Sequence, residues 1–314
     1  MPDSASAQVT ARPLLPSPVA AALLQDGRLY AILAAAGFSL KAVFVKLAYL
    51  AGPVDALTLL TMRMLLALPL FVWLALAAPA GSQPLDRRTL QQIALLACIG
   101  YYLSSLYDFI GLSYIGTGLE RLILYVYPTI VVLLGAWFQR QRPARQLWQA
   151  LALCYLGLLL AFGHDLGQHG DRGDVLIGGL WIFAAAFVYA LYMLGVGELI
   201  GKVGSLRLTG LAGVASCLWV LAHCALFGAP QKILAMPAGV WLNAALMALL
   251  STVLPIWWLA QAIQRIGPGP AATAGSIGPA LTMLAAWLLL GESVSALQLG
   301  GMALVMFGVA RIKR

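Results

Sequence analysis

The sequence predicts an all-α integral membrane protein with ten transmembrane helices, arranged as two inverted five-helix repeats. Three observations lead to this prediction. The composition is too apolar for a water-facing surface, the chain contains ten long apolar segments, and a pattern of glycines and prolines recurs after 151 residues.

The composition requires a solvent other than water. Of the 314 residues, 62% are hydrophobic and only 10% are charged, whereas soluble domains carry about 25% charged residues. The lipid bilayer is therefore an expected partner. The net charge of +8 does not indicate nucleic acid, because basic residues collect in the cytoplasmic loops of membrane proteins. The four cysteines have no metal-ligand spacing, so neither a metal nor a cofactor is expected.

Glycines, prolines and charged clusters divide the chain into apolar segments of membrane-spanning length. A transmembrane helix needs roughly 17–25 apolar residues. The predicted spans are 29–50, 56–78, 90–112, 117–138, 147–163, 175–196, 208–228, 240–262, 268–290 and 297–311. Residues 1–27 lack a basic segment before an apolar core, so a flexible cytoplasmic tail is expected there, not a cleaved signal peptide.

The basic residues set the orientation. With the N-terminus inside, thirteen Lys and Arg residues fall on the cytoplasmic side, and only Arg172 and Lys232 fall on the other. This bias predicts a multi-pass protein of the inner membrane with both termini in the cytoplasm.

The two halves share backbone-determining residues at one fixed offset. A shift of 151 residues brings IGTGLERLILYVYPTIVVLL (115–134) onto IGPGPAATAGSIGPALTMLA (266–285), so that Gly116 meets Gly267 and Pro128 meets Pro279. Five helices per half is an odd number, so the second half enters the membrane upside down. We expect a first repeat at 28–163 and an inverted second repeat at 174–314, an arrangement typical of secondary transporters.

Several long motifs resemble a known family. They are FSLKAVFVKLAYLAGPVDALTLLTMRMLLALP (38–69), YIGTGLERLILYVYPTIVVLLGAWF (114–138) and SIGPALTMLAAWLLLGESVSALQLGGMALVMFGV (276–309). The chain is similar in them to EamA-type members of the drug/metabolite transporter superfamily. The resemblance implies two inverted five-helix halves and the movement of small solutes, often the export of amino acids or metabolites. In the family a glutamate commonly ends the fourth and ninth helices. Here Glu292 does so, but Gln141 occupies the matching position.

Charged residues inside the spans are the first candidates for function. A charge at mid-helix costs roughly 2.5–3.5 kcal/mol on insertion scales, so it usually faces a cavity or a partner. Lys41 is the deepest and is a candidate solute contact. The candidate gate or ion-pair residues are Lys46, Arg63, Asp108, Glu120 and Arg121. Lys46 or Arg63 could pair with Asp108 or Glu120, and such pairs could equally be structural.

Polar and aromatic residues recur on matched helices of the two halves. We expect a central cavity with a wall formed by Lys41, Tyr101, Ser105, Tyr125, Trp258, Thr273 and Ser276. Close helix packing is an equally good explanation for the small residues. Pro128 and Pro279 are expected to break their helices at equivalent depths beside the solute path.

The expected function is secondary transport of a small organic solute by alternating access. A channel or uniporter is the alternative within transport, and an intramembrane enzyme is the alternative from another class. The sequence offers no nucleophile and base that could act together. A homodimer is compatible with the sequence, but nothing in it selects one.

Overall fold

The computed structural model describes residues 26–78, 85–138, 148–149, 152–153, 155–160, 172–266 and 277–312. All regular structure in these residues is helical. The elements in chain order are α1 (Gly27–Ala51), α2 (Ala56–Leu76), α3 (Arg87–Tyr114), α4 (Thr117–Leu124), α5 (Tyr127–Phe138), α6 (Arg172–Val203), α7 (Ser205–Phe227), α8 (Pro230–Leu234), α9 (238–266), α10 (Gly278–Leu290) and α11 (Ala296–Ile312). The short α8 was not predicted.

Aspartates fix where the first three helices begin. Each is the residue before the first turn, and its carboxylate accepts a hydrogen bond from a backbone N–H that the helix itself leaves free. Asp26 caps α1 through the N–H of Arg28 at 2.8 Å, Asp55 caps α2 through Thr58 at 2.9 Å, and Asp86 caps α3 through Thr89 at 3.1 Å.

Seven helical segments within the described residues are long and apolar enough to cross a membrane, and two shorter apolar helices follow at Gly278–Leu290 and Ala296–Gly308. Large apolar side chains point outward from the bundle, including Leu76, Trp137 and Phe227. Such a surface suits hydrocarbon. The number of ten spans stays a prediction, because part of the segment 147–163 and residues 268–276 of the segment 268–290 lie outside the described residues.

Two predicted spans are not uniform α-helices. Within α3, residues Cys98–Leu103 form a π-helical segment, and within α9, Leu249–Val253 do the same. A π-helical turn inserts extra backbone and is frequent at functional sites. Apolar periodicity does not reveal such a local change of winding, so the sequence predicted plain helices at both places.

The helix boundaries repeat at the offset found in the sequence. The first part of α9, Ala238–Ala248, begins 151 residues after the first part of α3, Arg87–Ala97. The two π-helical segments and the starts of α5 and α10 keep the same spacing. The packing agrees, because α1 packs on α9 as α6 packs on α3. The division into two inverted repeats stays a prediction.

The connecting segments gather at two ends of the bundle. At one end, Gly52 lies against Pro237 and Gly116 lies against Glu292. At the other end, Gly27 lies against Arg265 and Ile266. We name these the Gly52 end and the Gly27 end. Helices α1 and α9 therefore run antiparallel, because they connect the two ends in opposite directions.

Candidate functional site

Two acids and two bases from three helices form an ionic cluster inside the bundle: Lys41 of α1, Asp108 of α3, and Glu120 and Arg121 of α4. Lys41 Nζ lies 2.7 Å from Asp108 Oδ2, and Arg121 Nε lies 3.7 Å from Glu120 Oε2. Asp108 is 1% exposed and Glu120 is fully buried. The carboxyl groups of Asp108 and Glu120 are close enough to interact electrostatically with each other.

The local sequence explains why Glu120 can be held there. Gly116 precedes α4, and Glu120 falls in the first turn, where the free N–H groups of a helix favour an acidic side chain. Arg121 points toward α1, and its Nη2 donates to the carbonyl of Phe38 at 3.2 Å. The cluster thereby links α4 to both α1 and α3.

These pairs differ from the ones considered at first. The sequence suggested that Lys46 or Arg63 would pair with Asp108 or Glu120, but Lys41 and Arg121 form the ion pairs. The side chain of Arg63 is buried, and its guanidinium lies 5.4 Å from the centre of the Phe109 ring. Sequence position gives only the approximate depth of each charge, whereas the rotation of each helix about its own axis decides which charges meet.

Lys46 lies in a cavity at the Gly52 end. The cavity has a volume of about 750 Å³, within the approximate range of 300–1,000 Å³ that holds small molecules. Its lining includes Lys46, Tyr49, Asp55, Leu106, Ser113 and His223. His223 is not isolated, because the hydroxyl of Tyr102 lies 2.7 Å from its Nδ1.

Five tyrosines form a continuous row beside the ionic cluster. Neighbouring ring centres are 6.4 Å apart for Tyr125 and Tyr127, 4.9 Å for Tyr127 and Tyr189, 5.7 Å for Tyr189 and Tyr192, and 5.3 Å for Tyr192 and Tyr101. At the far end of the row, the Tyr192 hydroxyl donates to that of Tyr101 at 3.4 Å. The row thus runs from the turn after α4 and the start of α5 across α6 to α3.

Arg121 connects the row to the cluster, since its charge acts on both Tyr125 and Tyr127. Tyr127 was missed in the sequence. The one signal that could have found it is its place directly before Pro128, at the predicted break. Tyrosine offers an apolar face and a hydroxyl, so the row could contact both an apolar group and a polar group of a solute.

The other predicted wall residues are placed differently. Ser105 and Trp258 are half-buried, and the described contacts do not join either to the cluster or to the row. Ser104, next to Ser105, instead donates to the carbonyl of Ala185 at 3.3 Å. Thr273 and Ser276 lie outside the described residues, as does Gln141.

The chain is interrupted immediately before Pro128. Helix α4 ends at Leu124, Tyr125 and Val126 form a turn, and α5 starts at Tyr127. Pro279 lies in the first turn of α10, and the residues before Ile277 are outside the described range. Here α1 supplies hydrogen bonds. Ser39 Oγ donates to the carbonyl of Gly278 at 2.9 Å, and Thr282 Oγ1 donates to the carbonyl of Ser39 at 3.2 Å.

Glu292 joins the ends of α4 and α10. Its carboxylate accepts the backbone N–H of Thr117 at 3.2 Å and the Thr117 hydroxyl at 2.8 Å. Glu292 follows α10, so its side chain caps the first turn of a helix from the other half of the chain. In this structure Glu292 therefore acts at the end of its own helix and the start of another. The described residues contain no group of three or more His, Cys, Asp or Glu side chains placed to hold a metal.

The model of the EamA-like transporter family matches residues 26–163 and again residues 176–313. The chain belongs to the EamA-like transporter family. It is a transporter by family and a multi-pass membrane protein by its helices. Such proteins lie in a lipid bilayer and bind small solutes, and this family assignment fits a protein that is not an enzyme.

Curated relatives agree with the family. This EamA-like chain is 30% identical to the uncharacterized transporter YcbK of Bacillus subtilis over 90% of each chain. It is 29% identical to the uncharacterized transporter sll1319 of Synechocystis over 67% of this chain and 62% of that one. A solved crystal structure aligns with a TM-score of 0.61 over 91% of this chain and 96% of that chain, at 17% identity, and this likeness concerns the fold alone.

Proposed function

We propose that this EamA-like protein is a secondary transporter that exports a small organic solute, an amino acid or related metabolite, across the inner membrane. Transport is by alternating access between two inverted five-helix repeats, at 28–163 and 174–314. The observation that carries the proposal is the ionic cluster of Lys41, Asp108, Glu120 and Arg121, buried beside the row of tyrosines.

The cluster and the row together suit a solute that has charged and apolar parts. Lys41 and Arg121 can meet a carboxylate, Asp108 can meet an amine, and the tyrosine rings can pack on the remainder. Charged side chains inside a membrane protein are costly and usually mark a solute or ion path. Export follows the usual direction of the family that the motifs resemble.

The helix arrangement supports alternating access. Boundaries that recur after 151 residues suggest two halves of one design, and in inverted repeats the site lies between the halves near the membrane centre. The turn at Tyr125 and Val126 separates α4 from α5, so that α4 can tilt while α5 keeps its place. Glu292 and Thr117 would close the Gly52 end, which the orientation of the basic residues makes the outer face.

The test begins with solute identification. Purified protein is screened by thermal shift against a panel of metabolites, and each hit is assayed for flux in liposomes. We expect concentrative, gradient-driven flux. Flux that only dissipates a solute gradient would indicate a channel or uniporter instead, and chemical turnover of a hit would indicate an enzyme.

A pair of variants locates the site. Tyr189→Ala removes a central member of the row. We expect it to raise the solute concentration needed for a half-maximal thermal shift about fivefold, because stacking on an aromatic ring contributes about 1 kcal/mol. Tyr155→Ala is the matched control, since Tyr155 is an exposed tyrosine. Equal effects of the two variants would remove the row from the solute site.

A further inference from the structure

The carboxyl group of Glu120 is buried, and few neighbouring groups would stabilise it in the ionised form. Its side chain is fully buried, no N–H group or hydroxyl of the described residues donates to Oε1 or Oε2, and its one hydrogen-bonding neighbour among them is the carboxyl of Asp108. Arg121 Nε, 3.7 Å away, is too far for a hydrogen bond, and the Arg121 guanidinium donates instead to the carbonyl of Phe38. A buried carboxylate that accepts no hydrogen bond is costly, and such groups usually become neutral.

Asp108 has the better partner of the two acids. Lys41 Nζ forms an ion pair with its Oδ2 at 2.7 Å, whereas Arg121 Nε lies 3.7 Å from Glu120 Oε2. Asp108 and Glu120 interact electrostatically, and two neighbouring buried carboxylates resist being charged together. With Lys41 taken by Asp108, Glu120 is the acid that holds the proton in this arrangement.

The surroundings of Glu120 supply no further charge within the described residues. The charged groups that act on it are Arg121 in its own helix, Asp108 of α3 and Lys41 of α1. The other helices that pack on α4 bring apolar side chains to it, among them Ile182 of α6 and Val305 of α11. Toward Gly118 they present Met283 of α10 and the neutral Gln298 of α11.

We propose that Glu120 is a proton-binding site that couples solute movement to a proton, an inference that rests on the transport function above. In the conformation of this structure, the carboxyl group of Glu120 is protonated. When α4 tilts at the Tyr125 turn, Glu120 meets water and a cation of the cluster. The O–H bond then breaks, the proton passes to water on the side that is open, and the carboxylate is balanced by Arg121 or Lys41.

One site per chain follows from the sequence. The position 151 residues after Glu120 is Ala271, so the second half supplies no equivalent acid there. We therefore expect one proton to cross in exchange for each solute. At balance, such an exchange changes the solute ratio by about tenfold for each unit of pH difference.

The protonation of Glu120 can be tested in the absence of any transported solute. Infrared difference spectra of the full-length protein in lipid vesicles report the carbonyl band of a protonated carboxylic acid as the pH is raised. We expect a band at neutral pH that disappears in alkaline buffer and is absent from Glu120→Gln. Asp86→Asn is the control, because Asp86 is an exposed helix cap, and it should keep the wild-type band.

Either of two results would overturn the proposal: no such band in the wild-type protein at neutral pH, or an unchanged band in Glu120→Gln. Should Glu120→Gln fail to fold, Glu120→Asp provides the check. The shorter acid should still give a carbonyl band, but the band should disappear at a different pH from the wild-type band. A band with the same position and the same pH midpoint as in the wild-type protein would contradict the assignment.

Flux provides the second test. For a solute found in the metabolite screen, wild-type accumulation in liposomes should follow the imposed pH gradient. In Glu120→Gln we expect accumulation to be independent of the gradient, with the solute-induced thermal shift preserved. A lost thermal shift would instead make Glu120 a solute contact. If no solute is transported at all, the proposed function fails while the infrared result still decides the proton site.

Discussion

The carboxylate of Glu292 accepts hydrogen bonds from both the backbone N–H and the hydroxyl of Thr117, residues that are 175 positions apart in the chain. This contact holds the first turn of α4 against the end of α10 at the Gly52 end. It is one of the contacts between the two halves near the buried charges, and it lies at the Gly52 end, so its loosening should open that end.

Glu292→Gln should lower stability modestly and increase access from outside. A hydrogen bond to a charged group contributes about 2 kcal/mol, and the amide retains only part of it. Thermal unfolding measures the first effect. Labelling of a cysteine at Ser113, which lines the cavity at this end, measures the second. Thr117→Val should add little to Glu292→Gln in the double variant, whereas fully additive losses would show that the two residues act independently.

Lys41 and Asp108 should be coupled in stability. Removal of one partner leaves the other charge buried, so Lys41→Met and Asp108→Leu should each cost about 3 kcal/mol or more. The double variant Lys41→Met/Asp108→Leu should recover most of that loss in thermal unfolding. If Lys41 also contacts the solute, the recovered protein will still show no solute-induced shift. If the stability losses of the two single variants simply add in the double variant, the two side chains are not paired.

Gly100→Ala should disturb the row of tyrosines. A Cβ at this position would overlap the ring of Tyr192, so the π-helical segment of α3 and α6 could not keep their distance. We expect a loss of about 1–3 kcal/mol and weaker solute binding, measured by thermal unfolding with and without solute. Gly201→Ala is the matched control in a helix, because nothing lies near its Cβ. It should be neutral or stabilising by up to about 1 kcal/mol.

The orientation can be tested by labelling single cysteines in a variant without Cys98, Cys154, Cys217 and Cys224. Gln231→Cys, in the exposed α8, should react with an impermeant reagent in intact cells. Gln141→Cys, on the predicted cytoplasmic side, should react only after the membrane is permeabilised. Efficient labelling of Gln141→Cys from outside would show the predicted topology to be wrong.

The sequence by itself determined the class of protein, the course of most helices and the family. Apolar segments of membrane length identify helices because a bilayer demands that length and hydrophobicity of any span. Pro128 likewise indicated the interruption beside it, since proline lacks the N–H and clashes with the preceding turn. The offset of 151 residues was also visible in the sequence, because the glycines and prolines that carry it mark local backbone geometry.

Only the tertiary structure decided which side chains contact each other. It joined Lys41 to Asp108 and not Lys46 or Arg63, brought the unnoticed Tyr127 against Tyr189, and placed Glu292 on Thr117. A sequence gives each residue a depth along its helix, but in an apolar span nearly every face is equally suited to lipid or to protein. The rotation of one helix against another, and with it the choice of contacts, follows only when all the helices pack together.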